Sequence, residues 1–308
     1  MKPDIKCNDN LAELKKLPSG SVDLAYIDPP YRTQKNWGDF NDTWNGMDDY
    51  LAFMKPRIQE IHRVLKPTGT MYLHADQHAS HYLKVLIDEV FGYNNFLNEI
   101  AWKRASPQSN SKIFPPVHDA ILVHAKNAGK HVFNPQFKPL KQSSIDRHNL
   151  QDERGRYFEM TVTRPVRDPA NRQMWKLGLG ERQPATSREY AFTRANMKKL
   201  LASGELYKNK HGSIVRRYYL VDCPGSPVSS IWDDIHHVMS KESVQYATQK
   251  PEKLMERVIT ASSRPGDMVL DAFAGSGTTC AVAQKLGRNS VCIDVNPKAC
   301  KIMEVRLQ

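Results

Sequence analysis

Apolar and polar positions fall into two regimes along the chain. Residues 22–27 form a short apolar run that stops at Asp28, the pattern of a strand buried on both faces. Over 48–65 the apolar residues Leu51, Met54, Ile58, Ile61 and Leu65 recur at helical spacing. Pro56 lies inside this stretch, which predicts a kink or two shorter helices. Gly69 leads into a strand over 70–75, and a second amphipathic helix over 79–90 stops at Gly92. Residues 96–102 and 120–125 read as further strands. The far end repeats the scheme: a helix with Pro251 in its first turn reaching about Ser262, a strand over 268–273, a helix over 278–286, a strand over 290–295 and a last helix from Pro297. Strands alternating with helices predict a parallel sheet covered on both faces.

Between about 127 and 243 the pattern changes. Arg, Lys, Gln and Asn dominate, and Pro165, Pro169, Pro184, Pro224 and Pro227 interrupt any longer period. One helix, over 193–202 and ending at Gly204, is predicted there. The stretch reads as a separate, loop-rich, basic insertion between two α/β segments, which divides the chain into 1–126, 127–243 and 244–308.

Charge sharpens this division. The 308 residues carry 44 Lys and Arg against 33 Asp and Glu, a net of +11. Residues 138–217 alone hold 18 basic and 8 acidic side chains, and the rest of the chain holds 26 and 25. Charge so concentrated points to a polyanionic partner gripped by that stretch. No apolar run approaches the roughly 20 residues that span a bilayer, and residues 1–20 lack the apolar core of a secretory signal. Five cysteines, Cys7, Cys223, Cys280, Cys292 and Cys300, have no C-x-x-C spacing. They predict small apolar packing in a reducing cytoplasm, without a disulfide framework or zinc site. His74, His78 and His81 have no fourth ligand nearby, and no metal is expected.

Two turns carry candidate chemistry. Asp271-Ala-Phe273-Ala-Gly275-Ser-Gly277-Thr278-Thr follows a predicted strand and opens a helix. Glycines let backbone approach a ligand closely, and the helix start offers N–H groups. Asp294 ends the next strand 19 residues after Gly275, where nucleotide-binding units place a carboxylate for ribose hydroxyls. No Gly-Lys-Ser/Thr follows, which excludes a Walker loop. Position 280 is Cys, so the third glycine of a dinucleotide fingerprint is missing. Only one more strand fits after this turn, so the sheet must be completed by the N-terminal segment in permuted order. The second turn, Asp28-Pro29-Pro30-Tyr31, combines a carboxylate, rigid carbonyls and an aromatic ring at a strand end. That set suits a planar amino group, since acceptors on its hydrogens stabilise the positive charge that grows on nitrogen during attack.

At these residues the sequence resembles the permuted S-adenosylmethionine-dependent amino-methyltransferases of DNA, which modify adenine N6 or cytosine N4. Asp28-Pro29-Pro30-Tyr31 matches the catalytic motif of that family, and the glycine turn its cofactor motif. Thr248-Gln-Lys250-Pro251 matches the segment over the methionine end. The resemblance implies a Rossmann-like methyltransferase sheet in permuted order, with the insertion as target-recognition region between a catalytic and a cofactor-binding half. It implies that Asp9, Lys250, Pro251, Asp271, Phe273, Gly275, Gly277, Thr278 and Asp294 bind S-adenosylmethionine. By the same resemblance Trp102-Lys103-Arg104 and Val117-His118-Asp119 flank the target-base pocket. Family members often carry Pro where Ala247 and Ala272 stand here. The aspartate form of the catalytic motif favours adenine over cytosine. Lys103, Arg104, His118, Arg172, Arg216 and Arg217 are the expected nucleic-acid contacts, with Asn171 and Gln173 as readers of base edges.

The reading is a cytoplasmic, site-specific methyltransferase acting on adenine N6 of a base flipped from double-stranded DNA. A homodimer and a cognate restriction nuclease are compatible partners. Cytosine N4 is the alternative target, and RNA or a protein glutamine amide a more distant one. A non-catalytic DNA-binding module is the alternative from another class. If the basic stretch grips phosphates, DNA affinity falls steeply with salt. A slope near zero for log affinity against log salt would overturn that assignment.

Overall fold

The computed structural model describes residues 3–37, 40–107, 112–168, 172–181, 183–238, 242–246 and 248–307; Asn171 and Ala247 lie outside them. The chain divides into two compact units, Met1–Gln136 with Val228–Gln308, and Phe137–Pro227. The first opens with β1 (Asp4–Cys7), α1 (Asn10–Lys16), β2 (Val22–Ile27), α2 (Met47–Val64), β3 (Leu65–Ala75), α3 (Ser80–Phe91), β4 (Phe96–Lys103) and β5 (His118–Ala125). Every residue of β2 is buried. Alternation sends Ala25 and Ile27 into one core layer, with Met54, Ile58 and Ile61 of α2 and Leu83 and Ile87 of α3. Leu24 and Tyr26 enter the opposite layer.

Pro56 does not divide α2, which is one helix of 18 residues. Proline leaves the carbonyl of Ala52 without its helical donor. One residue on, the Arg57 guanidinium donates to the Phe53 carbonyl at 2.8 Å and lies 3.5 Å from the Phe53 ring centre. Tyr50, Met54, Ile58 and Ile61 stay in phase on one face and are fully buried. That burial outweighs the single missing bond.

The second unit contains β6 (Phe137–Lys138), α4 (Gln142–Asp146), β7 (Leu150–Asp152), β8 (Gly155–Thr161), β9 (Thr163–Pro165), β10 (Arg188–Tyr190), α5 (Arg194–Ala202), β11 (Leu206–Lys208), β12 (Ile214–Tyr219) and β13 (Ser226–Pro227). Short strands thus recur among its loops. An antiparallel sheet runs β11-β12-β8-β7, and β9 pairs with β10. Val162, Tyr190, Met197, Leu206 and Ile214 form its core. The strands are short and interleave arginine with aromatic residues, as in Ile214-Val-Arg-Arg-Tyr-Tyr219, so their period of two is weak in composition. The unit is also narrower than the 127–243 inferred from composition. Asn134 donates to the Ala261 carbonyl at 2.7 Å, and Trp102 Nε1 to the Ile235 carbonyl at 3.0 Å, both within the first unit. Trp232 and Ile235 complete a core layer there. The crossings between units are neighbours: Val228 N donates to Gln136 O at 2.9 Å, and β13 pairs with β6 through Pro227 opposite Phe137.

The first unit resumes with β14 (Ile231–Trp232), α6 (Glu252–Ser262), β15 (Met268–Asp271), α7 (Thr278–Lys285), β16 (Asn289–Asp294) and α8 (Pro297–Arg306). Its eight strands lie in the order β1-β16-β15-β2-β3-β5-β4-β14. The sheet is mixed rather than wholly parallel, because β5 runs antiparallel to both β3 and β4. Leu254, Met255, Val258 and Ile259 of α6 cover the face opposite α2. Four cysteines also come together in pairs, against expectation. Cys7 lies beside Cys300 with a Cα–Cα distance of 5.9 Å, and Cys280 beside Cys292 at 6.4 Å. Both separations are within the span of a disulfide. The pairs are 293 and 12 residues apart, so no C-x-x-C spacing marked either of them.

Since Pro56 costs α2 a hydrogen bond, Pro56→Ala should raise stability by up to about 3 kcal/mol. Urea unfolding checks this, and an unchanged or lower midpoint would contradict it.

Candidate active site

Strands β2 and β15 lie side by side, with Leu24 opposite Val269 and Ala25 opposite Leu270. From β2 the chain continues through α2 to β3 on one side, and from β15 through α7 to β16 on the other. The connections diverge and open a crevice at the carboxyl ends. A cavity of about 710 Å³ occupies it, with Asp28, Tyr31, Lys250, Asp271, Gly275 and Asp294 on its wall.

The glycine turn is held from within. Asp271 accepts from Phe273 N at 3.0 Å and from Thr279 Oγ1 at 2.5 Å. Gly275 adopts φ +50° and Gly277 φ +75°. A Cβ on Gly277 would stand 2.5 Å from Met303 Cγ. Asp294 accepts from Gly275 N and from Asn296 N, both at 2.8 Å. Burial, with Asp28 and Asp294 nearby, pushes the Asp271 carboxyl up to about 7. Burial also raises Asp294. Thr278 begins α7, and its Oγ1 accepts from Arg306 at 3.1 Å. Asp9 caps α1 and pairs with Arg57 at 2.6 Å. Asn10 ties Arg57 to this turn, accepting from its Nε at 2.6 Å and donating to the Ala272 carbonyl at 2.7 Å. The Phe273 ring stands 6.4 Å from that of Phe53.

The Asp28 turn is equally fixed. Its carboxylate accepts from the Tyr31 hydroxyl and from Lys250 Nζ. Tyr50, fully buried, donates to the Pro30 carbonyl at 2.8 Å. Pro251 caps α6 rather than entering its first turn, which leaves Lys250 just ahead of the helix. Tyr31 stacks on His74 with ring centres 6.0 Å apart. Burial, then the Asp28 charge, raises its phenol well above the ordinary value.

Sequence reasoning missed a buried relay beneath this ring. His74 lies 2.7 Å from the Tyr26 hydroxyl and 3.2 Å from Asp119, whose other oxygen accepts from Arg104 Nε at 2.6 Å. Burial acts to raise the Asp119 carboxyl, but His74, Arg104 and Lys250 together hold it below its usual range. The available signal was three polar residues inside otherwise apolar strands. A second omission is Asp42, 1% exposed, which accepts from Arg32 N, Thr33 N and Trp44 Nε1. It folds the segment after Tyr31 so that Trp37 and Trp44 line the cavity.

The catalytic and cofactor positions expected from sequence thus gather in one unit, most of them on the cavity wall. The expected nucleic-acid contacts divide. Arg104 lies on the cavity wall, while Lys103 and His118 are exposed opposite each other on β4 and β5. In the other unit, Arg172 donates to the carbonyls of Arg188 and Ala185. Arg216 pairs with Glu205 at 2.7 Å, and Arg217 with Asp152 at 3.4 Å.

A family model described as DNA methylase matches residues 22–305. The chain belongs to this family. The methylase is 31% identical over 313 residues to the type II methyltransferase M.EcaI of Enterobacter cloacae, covering 97% of this chain and 68% of that one. It is 28% identical to the DNA adenine methyltransferase YhdJ of Escherichia coli, covering 96% and 79%. Among solved structures, a DNA modification methylase of Thermus thermophilus complexed with S-adenosyl-L-methionine shares the fold. Its TM-score is 0.54 at 17% identity, with 99% and 93% covered.

S-adenosylmethionine is the cofactor of the family, and the site of the methylase fits it. The positive-φ glycines bring bare backbone to the cavity, and Asp294 keeps lone pairs for hydroxyl donors beyond the two amides it already accepts. The volume suits a nucleoside ligand. Asp271 gives a pH signature. It holds its proton to about pH 7 when folded and to about 3.8 when unfolded. Its stabilising contribution is therefore complete below the unfolded value and is lost as pH rises through the folded one. The melting temperature of the cofactor-free protein should fall as pH rises from 3.8 to about 7, less steeply in Asp271→Asn. Equal slopes in the two proteins would contradict this.

Proposed function

We propose that the methylase transfers the methyl group of S-adenosylmethionine to N6 of an adenine turned out of double-stranded DNA at a specific site. The observation that carries this is the meeting of Asp28 and Tyr31 with the glycine turn across one cavity. When bound, the cofactor supplies an electrophilic methyl on a sulfonium. The Asp28 carboxylate and the Pro29 carbonyl accept the two amino hydrogens of the base, which keeps the nitrogen lone pair aimed and stabilises the charge it gains. Asp28 then lies in place to hold the proton that nitrogen loses. The face of Tyr31 away from His74 stacks on the base, while His74 backs the ring from the other side. Arg104 and Asp119 close the pocket wall.

Turning out the base costs a few kcal/mol, which phosphate contacts offset. The net charge of +10 over residues 138–217 supports that role for the second unit. Adenine is favoured over cytosine by the aspartate form of the motif and by the similarity to an adenine methyltransferase. Relatives named as restriction-modification subunits support a cognate nuclease as partner.

Expression in a methylation-free host, followed by modification-sensitive sequencing, should reveal N6-methyladenine at one recurring sequence. N4-methylcytosine would replace the adenine reading, and unmodified DNA would contradict the activity. Asp28→Ala should lower transfer by on the order of a hundredfold or more with cofactor binding retained by calorimetry. Unchanged transfer would refute the site.

A further inference from the structure

Lys250 occupies ground that the reaction needs. Its ammonium donates to Asp28 and also lies over the Tyr31 ring, 5.5 Å from the centre. The reading above gives that carboxylate to the target amine and that ring to the target base. Lysine and base cannot fill one place. A fixed ammonium on Asp28 also opposes the chemistry, because it neutralises the carboxylate that must stabilise a nitrogen turning positive.

Where Lys250 can go follows from the cavity. Among the described lining residues are seven aspartates and only two lysine or arginine side chains, Arg104 and Lys250. Arg104 is engaged with Asp119 at 2.6 Å. An incoming carboxylate therefore meets Lys250 as its cation. The segment that carries Lys250 also reaches the cofactor turn: Tyr246 is the nearest neighbour that a Cβ on Gly275 would touch, at 3.2 Å. Thr248, Gln249 and Lys250 line the same cavity as that turn and Asp28.

We propose that Lys250 exchanges Asp28 for the α-carboxylate of S-adenosylmethionine, so that cofactor binding uncovers Asp28 and the Tyr31 ring for the base. Lys250 is then a positioning residue that sets the order of binding, cofactor before base. The proposal rests on the cofactor reading of the glycine turn.

Calorimetry with S-adenosylhomocysteine tests it without DNA or turnover, since this product keeps the carboxylate and lacks the charged sulfur. Asp28→Ala removes the competing partner and should tighten binding about tenfold. Asp28→Asn, which keeps the shape and removes the charge, should act in the same direction. Lys250→Met should weaken binding, and the gain from Asp28→Ala should vanish in the Lys250→Met background. Methylthioadenosine, which lacks the amino-acid portion, should bind all four proteins of the cycle alike. Equal effects of Asp28→Ala in both backgrounds, or an equal response of methylthioadenosine, would overturn the exchange. Failure of the unaltered protein to bind either nucleoside would instead overturn the cofactor reading itself.

Discussion

Three carboxylates close on one cavity because three neighbouring parallel strands, β2, β15 and β16, end at the same edge of the sheet. Asp28, Asp271 and Asp294 follow from that register. Like charges buried together are costly, and each of the three is managed differently. Asp28 takes Lys250 and Tyr31 as partners. Asp294 takes two backbone amides. Asp271 has only one amide and one hydroxyl, and it alone is raised to about 7. The result is a site in which three close carboxyls coexist without three uncompensated charges.

The rigidity of the Asp28 turn has the same origin. Two prolines fix its backbone, and Tyr50 of α2 anchors it from below. Tyr26, His74 and Asp119 come from three successive strands of the sheet, β2, β3 and β5. They stand under Tyr31 as a hydrogen-bonded support in which each polar atom has a partner. A ring held this way presents one fixed face, which is what stacking on a planar heterocycle requires.

Much of this was legible in the residues. The apolar runs located β2, β5, β15 and β16 to within two residues, and the far end of β3. The catalytic and cofactor turns were readable because each gathers special residue types, proline and glycine, within a few positions. The relay was not, since Tyr26, His74 and Asp119 are single residues far apart in the chain that only strand pairing unites. The strands of the second unit were hidden by their arginines, which composition reads as loop. The antiparallel direction of β5 was invisible for a different reason: a buried strand has the same apolar pattern either way.

The insertion leaves and returns through adjacent residues, with Gln136 bonded to Val228 and Phe137 facing Pro227. Such a two-stranded stem fixes the ends of whatever it carries at one spacing, and the closure entropy of a longer or shorter passenger changes only slowly with its length. The sheet of the first unit can therefore take an insertion of another length at little cost in closure entropy. Exchange of the insertion for one of another length leaves the two chain ends that the sheet must hold at the same spacing.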